Sequence, residues 1–146
     1  MEHSVVVLPA KLEETFEVHA AITEFESDYL RKRLQRLDGK EKLVLLANCE
    51  GKKVGYLIGY GEDDGKTFYI WLAGVKSEFR RHGVLTALFN DAKEWARKKH
   101  YSRLRWKTKN RFRELLFFLV KNGFEFTQVI PVADVSNNEL VAERQI

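Results

Sequence analysis

Phe68-Tyr69-Ile70-Trp71-Leu72-Ala73-Gly74-Val75-Lys76-Ser77-Glu78-Phe79-Arg80-Arg81-His82-Gly83-Val84-Leu85-Thr86 is the stretch of this chain with the strongest pattern. Its first eight residues are aliphatic, aromatic or small, as a strand in a sheet requires. A loop follows from Lys76 to Gly83. From Val84 to about Lys99, Leu85, Leu88, Ala92 and Trp95 then recur at helical spacing, which predicts an amphipathic helix packed on the sheet. The first N–H groups of such a helix have no intrahelical partner and lie at the positive end of its dipole, so they suit a pyrophosphate. Gly83 permits close backbone approach or an unusual dihedral angle. Arg80 and Arg81 add charge, and the Thr86 hydroxyl adds a donor. Arg-Arg-x-Gly alone equally describes two solvated arginines ahead of a surface helix, so the surroundings decide.

Upstream, Ser4 to Leu8 is a β-branched run closed by Pro9, which reads as an edge strand. Residues 11 to 37 carry apolar residues at roughly helical spacing, with a break near Thr23, and predict two helices. Leu43 to Ala47, Val54 to Tyr60 and Thr67 to Val75 are strands separated by the turn signals Glu50-Gly51 and Asp63-Asp64-Gly65. Downstream, Leu104, Trp106 and Thr108 alternate with Arg103, Arg105 and Lys107, the period of a half-buried strand. Asn110 suits the N-cap of a further helix and Gly123 its left-handed end. Phe126 to Val132 and Leu140 to Arg144 form a last strand pair around Ser136-Asn137-Asn138. The order predicts one α+β domain over residues 1–146, with about four helices around a central, mixed, mostly antiparallel twisted sheet.

Composition narrows the class. The chain has 146 residues, 45% of them hydrophobic, enough for one core. No apolar run is long enough to cross a membrane and no secretory signal opens the sequence, so a cytoplasmic protein without membrane contact is expected. The single Cys49 excludes an internal disulfide, and His3, His19, His82 and His100 lack metal-ligand spacing, so no metal is expected. Lys76 to Phe124 holds 14 Lys/Arg against 4 Asp/Glu, whereas the remainder holds 11 against 17. The basic part would face a polyanion, and Glu24, Glu26, Asp28 and Glu62 to Asp64 a cation; a solvated surface with clustered charge is the alternative.

The Arg80 to Thr86 loop resembles the acetyl-CoA loop of the GNAT N-acetyltransferases, with the pattern Arg/Gln-x-x-Gly-x-Gly/Ala. Arg80 and Gly83 match it, and Leu85 stands where a small residue is usual. Lys121-Asn122-Gly123-Phe124 resembles the family's closing Gly-Phe, and Val54 to Tyr60 its strand before the cofactor strand. The resemblance implies an enzyme transferring acetyl from acetyl-CoA to an amine. It places main-chain groups of Ala73, Gly74 and Val75 along pantetheine and Arg80, Arg81, His82, Gly83, Val84, Leu85 and Thr86 around the pyrophosphate. It also implies an Asn110 contact to the cofactor, beside its reading as a plain N-cap.

The family's acid tyrosine is replaced by Leu119, so no proton donor carries over. A thiol of pKa about 8 to 9 is a fair leaving group without one. Candidates for the base are Glu24 and Glu26, early in the second helix, and Tyr60. Need for a base depends on the acceptor. At pH 7 the neutral form of a lysine-like amine costs roughly 4.6 kcal/mol, and that of an α-amine about 1 kcal/mol. Cys49 lies beside a turn, so direct attack in a ternary complex is expected. Two rivals remain: an acetyl-CoA-binding module without turnover, and a nucleic-acid-binding domain using Arg97 to Arg113, which the inward side of Trp106 argues against. The acceptor is expected to be an amine, with a mild bias to a cationic one, and a homodimer is compatible with the sequence.

Overall fold

The computed structural model describes residues 4–146; His3 lies outside the described residues. Seven strands form one sheet in the order β1-β2-β3-β4-β5-β7-β6. They are β1 Val5–Pro9, β2 Lys42–Cys49, β3 Lys52–Gly61, β4 Thr67–Val75, β5 Arg103–Lys109, β6 Glu125–Ile130 and β7 Glu139–Gln145. All neighbours are antiparallel except β4 and β5, which run parallel. As expected, the Pro9 strand lies on the sheet edge, where a missing N–H is tolerated. The β2–β3 hairpin turns on Glu50 and Gly51, both at positive φ (53° and 77°), which matches the twist of the flanking strands.

The first 40 residues depart from expectation. In place of two long helices, there are 3-10 turns over Leu12–Thr15 and Leu34–Leu37 and two short helices, α1 Phe16–Ala20 and α2 Tyr29–Lys32. Residues 21 to 28 between them make only isolated turns, such as Phe25 N–H to the Ile22 carbonyl at 3.1 Å, and are tied to α1 through His19. His19 is buried and its Nδ1 lies 2.6 Å from the Tyr56 hydroxyl, while Nε2 lies 2.9 Å from the Glu26 carbonyl. A carbonyl only accepts, so Nε2 carries the proton and Nδ1 accepts from Tyr56.

Helices α3 (Val84–Lys98) and α4 (Arg113–Lys121) cover the other face. There Leu57, Phe68, Ile70, Leu88, Phe89, Leu104, Trp106 and Leu119 share one core. On the α1/α2 face Val18, Leu30, Val44, Tyr56, Ile58, Tyr69 and Trp71 share a second. Trp106, 2% exposed, is on the buried side, as its alternation requires. Gly123 is left-handed at φ 81° and ends α4 as expected. Asn110, however, does not cap that helix: α4 begins at Arg113 behind Phe112, and the Asn110 amide donates to the Val135 carbonyl at 2.9 Å.

Burial lowers the His19 pKa, against a smaller opposing effect of the Glu26 carbonyl. The folded protein therefore holds His19 neutral at a pH where the unfolded chain, titrating near 6.5, is already protonated. Stability contributed by the neutral ring is complete above about pH 6.5 and is lost as pH falls below it. Thermal unfolding from pH 7.5 to 5 should show a loss of up to about 1.4 kcal/mol per pH unit. His19→Gln should be less stable at neutral pH and lack that part of the slope; an unchanged slope would remove His19 as its origin.

Candidate functional site

Parallel pairing of β4 with β5 covers only Thr67↔Arg103 to Ile70↔Trp106. Beyond it β4 continues to Val75 and β5 to Lys109 without pairing to each other, so the strands part toward their carboxyl ends. On its other edge β4 carries a bulge at Trp71: Ile58 faces Leu72 and Gly59 faces Ile70. An extra residue there raises local twist and turns the strand end away from its neighbour. The result is a slot with main chain of Ala73, Gly74 and Val75 on one wall and β5 residues 107 to 109 on the other. A crevice at the carboxyl ends of parallel strands is where open sheets take ligands.

The slot ends at the start of α3. Gly83 stands at φ 78° and Arg81 at φ 66°, a turn that exposes successive N–H groups. No side chain caps α3, so the N–H groups of Val84, Leu85 and Thr86 stay available. Arg80 lies between strand and helix: Nε donates to the Val75 carbonyl at 3.1 Å and Nη1 to Glu24 Oε2 at 2.5 Å. Arg81 and His82 are exposed, and Arg81 lies 3.6 Å from Glu114 at the start of α4. Leu85 turns toward the core and so does not obstruct the loop.

Opposite the loop, residues 22 to 25 rest on β4. A Cβ on Gly74 would come within 2.5 Å of Ile22 and 2.8 Å of Phe25, so this close approach requires glycine. Phe25 stacks on His19 with centroids 5.3 Å apart and meets Phe112 edge-on at 6.4 Å, bridging α1 to the start of α4 across the slot. At its β5 wall the buried Thr108 hydroxyl has no hydrogen-bond partner among the described residues, and neither has the Trp71 indole N–H. A ligand in the slot would give Thr108 a partner.

The base candidates are dispersed. Glu24 is held by the Arg80 hydrogen bond at a pKa of about 2, which makes it a weak base. Glu26 is exposed and paired with Lys32 at 3.6 Å. Tyr60 is half-buried beside Tyr69, and burial raises its pKa, so the phenol keeps its proton. Leu119 is fully buried and Cys49 is buried in the α3-side core.

The acidic residues expected to meet a cation are neutralised within the chain. Glu62 pairs with Arg105, Asp63 with Lys40, Asp64 with Arg103, Asp28 with Lys32 and Glu24 with Arg80. The same pairs occupy Arg103 and Arg105 of the basic segment, and Trp106 is buried, which leaves no stacking platform for a nucleic acid there. Among the described residues no cluster of three potential metal ligands occurs, and no helix is long and apolar enough to cross a membrane.

The sequence model of the acetyltransferase (GNAT) family matches residues 10–124, from the end of β1 to the close of α4. The chain belongs to the GNAT acetyltransferase family. No curated protein matches the sequence. Among solved structures, Ard1 from Thermoplasma volcanium is 21% identical, with 97% of each chain covered and a TM-score of 0.79. A GNAT acetyltransferase from Elizabethkingia anophelis, solved with acetyl-CoA bound, is 16% identical over 97% of this chain and 98% of its own, at TM-score 0.77. The ribosomal-protein-S18-alanine N-acetyltransferase of Escherichia coli is 14% identical over 98% of this chain and 94% of its own, at TM-score 0.79. This GNAT sheet, with its parted strands and helix terminus, agrees with the expected α+β class. His19, Phe25 and Phe112 escaped the sequence reading, because their rings meet only through contacts between distant segments.

Proposed function

We propose that the protein transfers an acetyl group from acetyl-CoA to an amine by direct attack in a ternary complex. The parting of β4 from β5 in front of the uncapped α3 terminus carries this reading. The diphosphate of CoA would accept from Val84, Leu85 and Thr86 N–H groups and from Arg80. Pantetheine would run along Ala73, Gly74 and Val75, completing the strand edge that β5 leaves open. Backbone N–H donors there polarise the thioester carbonyl and stabilise the oxyanion formed on attack. Acetyl-CoA bound to the Elizabethkingia relative supports the choice of donor.

The amine would approach from the α1/α2 face beside Phe25. With Glu24 ion-paired, Glu26 exposed and Tyr60 protonated, no placed base serves it, which favours amines already partly neutral near pH 7. Nitrogen attacks the carbonyl carbon, the C–S bond breaks, the amine proton passes to solvent and CoA departs as thiolate. Burial of Cys49 keeps a thiol out of the slot and supports the absence of an acyl-enzyme. Asn110, tied to Val135, is assigned to the β6–β7 turn rather than to the cofactor. The buried Leu119 also favours a second reading, a binding module without turnover. Calorimetric titration with acetyl-CoA, followed by thiol release in the presence of amines, tests both. Binding with release establishes the enzyme, binding without release across amine classes the module, and no binding overturns both.

A further inference from the structure

A cavity of about 280 Å³ opens on the α1/α2 face, over the β3–β4–β5 part of the sheet. It is smaller than the roughly 300–1,000 Å³ that takes a drug-sized ligand, and fits a molecule of amino-acid size. Tyr69 and Arg105, both in its wall, form the last register pair but one before β4 and β5 part, and Lys107 follows just past that point. The cavity thus lies directly below the slot, on the side from which an acceptor would come.

Its charges do not balance. Lys40 is matched by Asp63 at 2.6 Å, and Arg105 by Glu62 at 2.6 Å and Glu143 at 2.9 Å. Arg36 and Lys107, also in the wall, have no carboxylate partner among the described residues. Arg36 instead stacks on Trp71 with its guanidinium 5.0 Å from the ring, and the Lys107 ammonium lies 5.9 Å from the Tyr69 ring. Aromatic faces hold a cation in place without neutralising it. Tyr60 and Tyr69 add two phenol groups, both kept protonated by burial and so able to donate. Two exposed cations with no carboxylate of their own, in a cavity whose charges sum to one net positive once Glu143 is counted, stand beside two O–H donors and make a receptor for a planar anion.

We infer that the acceptor is a small amine bearing a carboxylate, seated with that carboxylate between Arg36 and Lys107 and its nitrogen directed to the slot. This rests on the acetyl-transfer reading above and replaces the expectation of a cationic acceptor. The same cations disfavour a nearby ammonium, which helps supply the neutral nucleophile without a base.

The test is CoA release by the full chain from matched pairs: amino acids against their amides, and peptides led by Asp or Glu against those led by Asn or Gln, with spermidine as a cationic control. Carboxylate-bearing amines should be used with kcat/KM at least tenfold above their neutral partners. That preference runs against intrinsic reactivity, since an amino-acid amide holds more of its nitrogen neutral. Arg36→Gln and Lys107→Gln should each raise KM for the acidic acceptors tenfold or more while KM for acetyl-CoA stays within twofold. Preference for free amino acids assigns the site to an α-carboxylate, and preference for acidic peptides to a side-chain one. Equal or better use of amides or spermidine, or variants that weaken all acceptors alike, overturns the inference. If acetyl-CoA binds but no carboxylated amine is used or detected by calorimetry, it is also overturned. Failure of acetyl-CoA to bind would instead remove the acetyl-transfer reading.

Discussion

Arg80→Ala should weaken acetyl-CoA binding roughly ten- to hundred-fold, the equivalent of losing one charge-assisted hydrogen bond of about 1.5–3 kcal/mol. Arg80 is well placed for that effect because two fixed groups aim it, the Val75 carbonyl at the end of β4 and the Glu24 carboxylate. Removing it also leaves Glu24 beside the proposed phosphate position without a cation, so repulsion adds to the lost attraction. Glu24→Gln in the Arg80→Ala background should therefore recover part of the affinity. By itself Glu24→Gln should leave kcat within a few-fold, since a carboxylate with a pKa of about 2 contributes little as a base. Arg81→Ala should matter less, its side chain being 86% exposed. Calorimetric titration of the four variants measures the affinities, and CoA release by Glu24→Gln measures its kcat. A Kd for Arg80→Ala within threefold of wild type would move the phosphates away from this loop.

Gly59→Ala should be a strongly damaging single methyl in the sheet, because it meets backbone as well as a ring. Its Cβ would lie 2.5 Å from Phe68 Cζ and 2.8 Å from the Tyr69 carbonyl oxygen. Neither neighbour yields easily. The oxygen is backbone beside the Trp71 bulge, and the fully buried Phe68 ring is wedged between Trp95 at 5.3 Å and Tyr101 at 5.6 Å. Overpacking of this kind costs about 3 kcal/mol, at the upper end of its usual range, and should lower Tm by about 6–12 °C. Gly65→Ala is the natural comparison, since nothing lies within 4 Å of its Cβ and only its φ of 69° is strained. That variant should lose about 1–2 kcal/mol. Equal melting temperatures for the two would show that the sheet relaxes around the Gly59 clash.

The strands were legible because their signals are local: alternation in Arg103 to Thr108, turn residues at Glu50-Gly51, and a run of apolar residues closed by a glycine-containing loop. Alternation also placed Arg105 and Lys107 opposite Trp106, which is the side where the cavity lies. What escaped reading depends on residues far apart in sequence. The 21 to 28 segment follows Tyr56 and Gly74 rather than its own helical spacing. Asn110 has the chemistry of an N-cap, but the β6–β7 turn takes both its amide groups, and α4 starts three residues later. Acidic residues that suggested a cationic partner find cations within the chain, through pairs such as Glu62–Arg105 that span 43 positions. Arg36 and Lys107, which have no carboxylate of their own among the described residues, become visible only once such pairs are subtracted.

The four register pairs between β4 and β5 have a mechanical consequence. They are the backbone weld between two antiparallel plates, β1 to β4 and β5 to β7. The weld lies at one end, so the plates form a peg whose jaws are the free ends of β4 and β5. A slight rotation about the weld would open or narrow the jaws without breaking a ladder bond inside either plate. The tie behind them is the α3-side core, where Phe89 touches Trp106 on β5, Phe118 within α4 and Phe124 just past its end. A donor bound there as proposed would bond both plates at the end farthest from the weld, so grip on the donor and rigidity of the fold would rise together.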